Sequence, residues 1–153
     1  MKTVGQILAA KPQAFNIIHP DATVYDALML MRSVNLHYVI VMKDTAFLGI
    51  MSEHDYSQKI ILQGKHSCEV KVAEIMTHDM PFVGLDDKAE KCMLLMDVFK
   101  TLYLPAFEGS SYMGVITMDD LLKESMFEYN TADKELPVRS NHINTPLLQH
   151  FSI

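Results

Sequence analysis

Two short stretches place a hydroxyl residue three positions ahead of an aspartate: Ser52 with Asp55 in "GIMSEHD", and Thr117 with Asp120 in "GVITMDD". Each follows a glycine and two apolar residues, and the second starts 65 positions after the first (114 − 49 = 65). Two chemistries suit that spacing. In one, the hydroxyl caps a helix by accepting from a first-turn amide, and the carboxylate one turn inside completes a capping box. In the other, the helix start offers free amides and a positive dipole end to an anion, while the aspartate accepts from the hydroxyls of a ribose. Glutamate or glutamine is the usual box partner. Aspartate twice, behind the same strand end, keeps the ribose reading open beside the cap.

Other reactive arrangements are thinner. Ser52 near His54 pairs a nucleophile with a base on paper, but a serine in N-cap geometry is already engaged and no oxyanion element is visible, so no catalytic residue is assigned. Glu53, His54 and Asp55 are consecutive on a helix and diverge, and His66 and Cys68 have no partner pair nearby; no metal site is expected. Cys68 and Cys92 are the only cysteines, read as reduced, partly buried thiols of a cytoplasmic protein.

The elements that must position the two aspartates also come in two copies. "DATVYDALMLM" (Asp21 to Met31) lies over "DDKAEKCMLLM" (Asp86 to Met96) at the same offset of 65, without a gap through to Gly49 over Gly114. Ahead of it, "VGQIL" matches "VAEIM" at an offset of 68 (72 − 4 = 68), so the first copy carries three extra residues around Lys11-Pro12-Gln13. Helical apolar spacing at Ala27/Leu28/Met31 and Cys92/Met93/Met96, then "YVIVM"–"FLGIM" and "YLPAF"–"YMGVI", predict β-α-β-β-α in each half after a short lead-in helix. The fold class expected is α/β (α+β): two pseudo-symmetric halves packed sheet to sheet as one unit, since about 60 residues are marginal alone. The expected segments are 1–66, 67–126, and a tail or docking arm over 127–153 whose Leu147, Leu148 and Phe151 form an apolar cluster.

The chain resembles the tandem cystathionine β-synthase (CBS) domain proteins, or Bateman modules, over about residues 2–126. The two Gly-apolar-apolar-Ser/Thr-x-x-Asp motifs, the "TVYDALMLM" and "AEKCMLLM" helices, "VAEIMT", and the linker "SEHDYSQKIILQGKHS" carry the resemblance. It implies a regulatory module that binds AMP, ATP, NAD or a related adenine nucleotide between the repeats, as a sensor rather than an enzyme. No cofactor is required. It further implies a homodimer reporting to a regulated protein whose identity is unknown. The alternative is an interaction module that keeps the fold without its ligand. Carried over residue by residue, Ser52 with Asp55 and Thr117 with Asp120 hold ribose. Ile17, Ile18, Phe82 and Val83 supply surface for the adenine, and His37, Tyr38 and Tyr103 face the phosphates. Leu102, His54 and Gln58 stand where basic residues are common, leaving Lys59, Lys65 and His66 to compensate.

Composition bounds the remaining classes. The 153 residues are 49% hydrophobic and 21% charged with a net charge of −6. The scattered Lys and Arg argue against nucleic acid. No apolar run approaches the roughly 18 residues of a membrane span, and the first residues lack the pattern of a signal peptide. The twelve methionines gather in the helices, as core or dimer packing.

Overall fold

A computed structural model of the chain describes residues 1–135. In chain order it contains α1 (Val4–Ala10), β1 (Ile17–Ile18), α2 (Val24–Val34), β2 (Tyr38–Lys43), β3 (Ala46–Ser52) and α3 (Glu53–Tyr56), which runs on as a π-helical stretch, Ser57–Ile61. The second half follows as α4 (Val72–Ile75), β4 (Val83–Gly84), α5 (Ala89–Phe99), β5 (Tyr103–Glu108), β6 (Ser111–Thr117) and α6 (Met118–Glu135). Two three-stranded sheets result, each with a parallel first pair and an antiparallel hairpin. The mixed α+β architecture is the one the periodicity predicts.

The offset of 65 reaches into fine detail. Tyr38 pairs with Ser52 as Tyr103 pairs with Thr117, and the register slips between Val41 and Met42 as it does between Ala106 and Phe107. Helices α2 and α5 both end on a left-handed residue, Asn35 at φ 54° and Lys100 at φ 52°. Both hairpins turn on another, Asp44 and Gly109. The inner sheet faces meet in a shared cluster of Tyr38, Ile40, Ile50 and Val115, flanked by Tyr103, Phe47 and Tyr112. Aromatic pairs there, Tyr38–Tyr103 tilted with centroids 4.5 Å apart and Phe47–Tyr112 stacked at 5.1 Å, lock one sheet to the other.

The lead-in helices are exchanged. Helix α1 does not pack on its own half: Val4 and Ile7 are buried with Val83, Ala89, Cys92, Met96 and Leu121, and Val4 N–H donates to Asp87 O at 2.8 Å. Conversely, Val72 and Ile75 of α4 complete the core of Val24, Met31, Val39 and Met51, with Val72 N–H donating to Ala22 O at 2.8 Å. The structural halves therefore cross the boundary expected at residues 66 and 67.

This exchange explains the glycine that opens each motif. A Cβ on Gly49 would stand 2.5 Å from the carbonyl oxygen of Thr77, just beyond α4, and one on Gly114 would stand 2.9 Å from Leu8 Cδ2 of α1. Each glycine is the seat over which the exchanged segment passes.

At the C-terminal end α6 continues past Met126 to Glu135, into the segment expected as a tail or docking arm. The Thr131 hydroxyl donates to the carbonyls of Phe127 and Glu128, and the N-terminal amine of Met1 pairs with Glu128 at 3.0 Å. Leu147, Leu148 and Phe151 lie outside the described residues. Cys92 is buried and Cys68 exposed. Among the described residues no helix is long and apolar enough to cross a membrane.

Candidate functional site

Each motif aspartate sits at a strand-to-helix turn with its hydroxyl partner. Ser52 N–H and Oγ both donate to Asp55 Oδ2, at 2.9 and 3.2 Å, and Asp55 N–H donates back to Ser52 Oγ. Thr117 N–H and Oγ1 donate to Asp120 Oδ2, at 2.8 and 3.0 Å, with the same return bond. Both capping boxes are formed. The second oxygen of each carboxylate then decides what else the site can do.

Asp55 Oδ1 accepts from Lys59 Nζ at 2.8 Å and from Thr77 Oγ1 at 2.9 Å. With Ser52 on Oδ2, four donors meet a carboxylate that offers about four acceptor sites. Asp55 is 5% exposed and saturated. Lys59 is committed as well, since its Nζ also donates to Ile75 O at 2.8 Å. This binds the end of α4 to the helix that begins at Ser52.

Asp120 is built differently. Position 124, the counterpart of Lys59 (59 + 65 = 124), is a glutamate, buried and paired with Lys2 at 3.1 Å. The cation for Asp120 comes instead from Lys11, in the three-residue insertion. Its Nζ lies 2.7 Å from Asp120 Oδ2 and 2.8 Å from Val115 O. All three contacts from outside the carboxylate fall on Oδ2. Among the described residues, Oδ1 accepts no hydrogen bond.

Two clefts flank the line where the sheets meet. The larger, about 650 Å³, is lined by Thr117, Asp119, Asp120 and Lys123 on one side, His37 and Tyr38 on the other, and Phe15, Val34, Leu36, Leu102 and Tyr103 as its apolar walls. The smaller, about 330 Å³, takes in Ser52, His54, Asp55, Thr77, Met80, Pro81 and Tyr103. The larger lies within the roughly 300–1,000 Å³ of small-molecule sites and has their few polar groups on apolar walls. Thr117, Asp120, His37, Tyr38 and Tyr103 thus share the first cleft, and Ser52, Asp55 and Tyr103 the second.

Four expected base contacts lie elsewhere. Ile17 is exposed, Ile18 packs against the first core, Val83 is buried in the second, and Phe82 sits edge-on to Phe107 with centroids 5.7 Å apart. Strands β1 and β4 begin only after the chain has passed the clefts, so Ala14 and Phe15, and Met80 and Pro81, line them instead. On the cationic side, Lys11 and Lys123 escaped the sequence reading. Lys123, one turn after Asp120 on the same helix, was visible from spacing. Lys11 was marked only by the insertion that contains it.

Burial shapes the aromatic floor. Desolvation pushes the Tyr38 hydroxyl up to about 12, with Asp120 adding to the shift, and raises Tyr103 in the same direction. Both therefore stay neutral hydrogen-bonding groups. His37 Nδ1 lies 3.1 Å from Glu53 Oε2 at the rim. Among the described residues no group of three or more His, Cys, Asp or Glu side chains is placed to hold a metal ion.

Comparison with known proteins matches this geometry. The CBS domain family model fits twice, at residues 5–61 and 72–126. The mitochondrial CBS domain-containing protein CBSX3 of Arabidopsis thaliana is 31% identical over 71% of the chain, which spans 55% of that relative's length. A CBS-domain protein from Burkholderia ambifaria MC40-6 superposes with a TM-score of 0.77 at 31% identity, over 90% of this chain and 99% of that one. The CBS domain pair of protein MJ0100, crystallised with 5′-methylthioadenosine and S-adenosyl-L-methionine, shares the fold with a TM-score of 0.70 at 19% identity, over 84% of this chain and 98% of that one. With two family matches, two like sheets and two capped Gly-x-x-Ser/Thr-x-x-Asp turns, the chain belongs to the CBS domain family, as a tandem pair.

Proposed function

We propose that the chain is a regulatory module that binds an adenine nucleotide, such as AMP, ATP, NAD or a related molecule, in the Asp120 cleft, and performs no chemistry on it. The observation that carries this reading is Asp120 Oδ1, which accepts no hydrogen bond among the described residues, on a side chain that lines a cleft of about 650 Å³. A ribose hydroxyl donates to that oxygen. Lys123 and the remaining N–H of Lys11 supply cationic donors for phosphates, His37 lines the cleft beside them, and Leu36 and Leu102 supply apolar wall. The adenosine-containing ligands of the MJ0100 pair support the choice of ligand class. Thermal-shift measurements with AMP, ADP, ATP, NAD and S-adenosylmethionine test it. A ligand at 100 times its dissociation constant stabilises the fold by about 2.7 kcal/mol, and no shift with any of them removes the nucleotide reading.

A second reading, a ligand-free interaction and dimerisation module, is favoured by the outer helices. Leu94 and Val98 of α5 and Leu122 and Met126 of α6 are exposed apolar residues at helical spacing. Such a face suits a twofold, self-complementary contact with a second copy. Light scattering at micromolar concentration gives a dimer on either reading; a dimer without any nucleotide shift selects the second.

A further inference from the structure

Phe15 carries two penalties in the chain. Its backbone is left-handed at φ 45°, a conformation in which a bulky residue is an outlier. Its ring is 72% exposed. Both penalties fall at the wall of the larger cleft, which Phe15 lines together with Leu36, Leu102 and Tyr103. The counterpart 65 residues on is Met80 (15 + 65 = 80), which lines the smaller cleft. Met80 is half-buried, packs against the Tyr38, Ile40, Ile50 and Val115 cluster, and has no positive φ. One copy folds a flexible thioether inward; the other holds a rigid ring out over a cavity at the expense of backbone strain. Strain of this kind gathers at ligand clamps, where the surroundings impose it.

We infer that Phe15 is the residue that selects the base. Its ring stacks on the flat heteroaromatic part of the ligand in the Asp120 cleft, and the Asp55 cleft, with Met80 in that place and its carboxylate saturated, takes none. The inference rests on the nucleotide reading above. It adds which side chain recognises the base and sets one ligand per chain. An aromatic platform tolerates any purine, so affinity follows the ring system, while Asp120 reads the sugar.

Titration calorimetry on the full chain decides it, with AMP, ATP and S-adenosylmethionine as probes and ribose 5-phosphate as the control that lacks a base. For whichever adenine probe binds, Phe15→Ala weakens binding by about ten- to a hundredfold, the range that loss of one stacked base gives. Phe15→Tyr, which keeps the ring, stays within about threefold of the parent. Phe15→Gly loses affinity like the alanine variant yet melts at a higher temperature, because glycine adopts the left-handed backbone freely. Ribose 5-phosphate binds parent and Phe15→Ala alike, and the adenine probe binds one per chain. If the parent binds an adenine probe and Phe15→Ala binds it as tightly, the inference falls while the nucleotide reading stands. The same holds if Phe15→Ala changes only the oligomeric state, or if two ligands bind per chain. If the parent binds none of the probes, the nucleotide reading falls and takes the inference with it.

Discussion

Asp55 and Asp120 occupy equivalent places in two copies of one motif, and they have been put to different uses. Both accept from the hydroxyl and amide that precede their helix. Asp55 then spends its remaining oxygen on Lys59 and Thr77, whereas Asp120 draws one lysine from the far end of the chain onto the oxygen already in use. The same three-residue signature is a structural tie in one repeat and an open acceptor in the other. What separates them is outside the motif: a lysine one turn on that becomes Glu124, and an insertion that delivers Lys11.

The widest gap between the two should show in stability. Asp55→Ala leaves Ser52 N–H, Thr77 Oγ1 and Lys59 Nζ without their acceptor; Ser52 lies at a buried site, while Thr77 and Lys59 are partly exposed and contribute less. Loss of the capping box plus stranded donors gives a cost of about 3 kcal/mol in urea denaturation. Asp120→Ala strands one donor fewer, Thr117 N–H and a Lys11 that keeps Val115 O, and costs about 2 kcal/mol. Equal losses would erase the distinction between tie and acceptor. Affinity should order the other way. Asp120→Asn weakens adenine-nucleotide binding about ten- to a hundredfold, as for loss of a charge-assisted bond, while Asp55→Asn leaves it unchanged by calorimetry. A matching loss in Asp55→Asn would return both clefts to equivalence.

The aromatic floor of the larger cleft, whose Tyr103 also lines the smaller, gives a smaller, pH-dependent effect. Tyr38 titrates at about 12 in the folded chain, and Tyr103 is also raised, against an ordinary value of 10. Above pH 10 the unfolded chain releases these protons first, so stability is intact below pH 10 and falls as pH climbs toward 12. From pH 10 to 11 the loss is at most about 1.4 kcal/mol for each tyrosine, read from urea midpoints alongside phenolate absorbance. Stability that holds level over this interval would place the hydroxyls in contact with water. The smallest change concerns the helix ends. Lys100 at φ 52° is the counterpart of Asn35 at φ 54°, and asparagine tolerates that backbone better than lysine. Lys100→Gly should gain about 0.5–1 kcal/mol, and Asn35→Gly less.

Much of this was legible in the residues. An ungapped repeat preserves every register pair and bulge of the two hairpins and both left-handed helix caps, because those depend on local backbone chemistry that the repeat copies along with its apolar pattern. The capping boxes were legible for the same reason. The exchange of α1 and α4 was not, since Val4 and Val72 are equally apolar and periodicity does not say which core a helix fills. Nor was the fate of the two carboxylates. Lys11 and Asp120 are 109 positions apart, and only the folded chain shows that they meet. Ile17, Ile18, Phe82 and Val83 miss the cleft lining by a few positions because short strands such as β1 and β4 have poorly marked starts, and the cleft is lined before the strand begins.

The exchanged lead-in helices also set a timetable for synthesis. Helix α1 is made well before the core it fills, so its apolar face waits for Val83, Met96, Leu104 and Leu121. The first repeat in turn stays open until Val72 and Ile75 arrive. At about 5–20 residues per second, the nascent chain spends several seconds with α1 unseated. Helix α1 docks only once most of the second repeat has been made, and neither repeat closes before the other has begun to form.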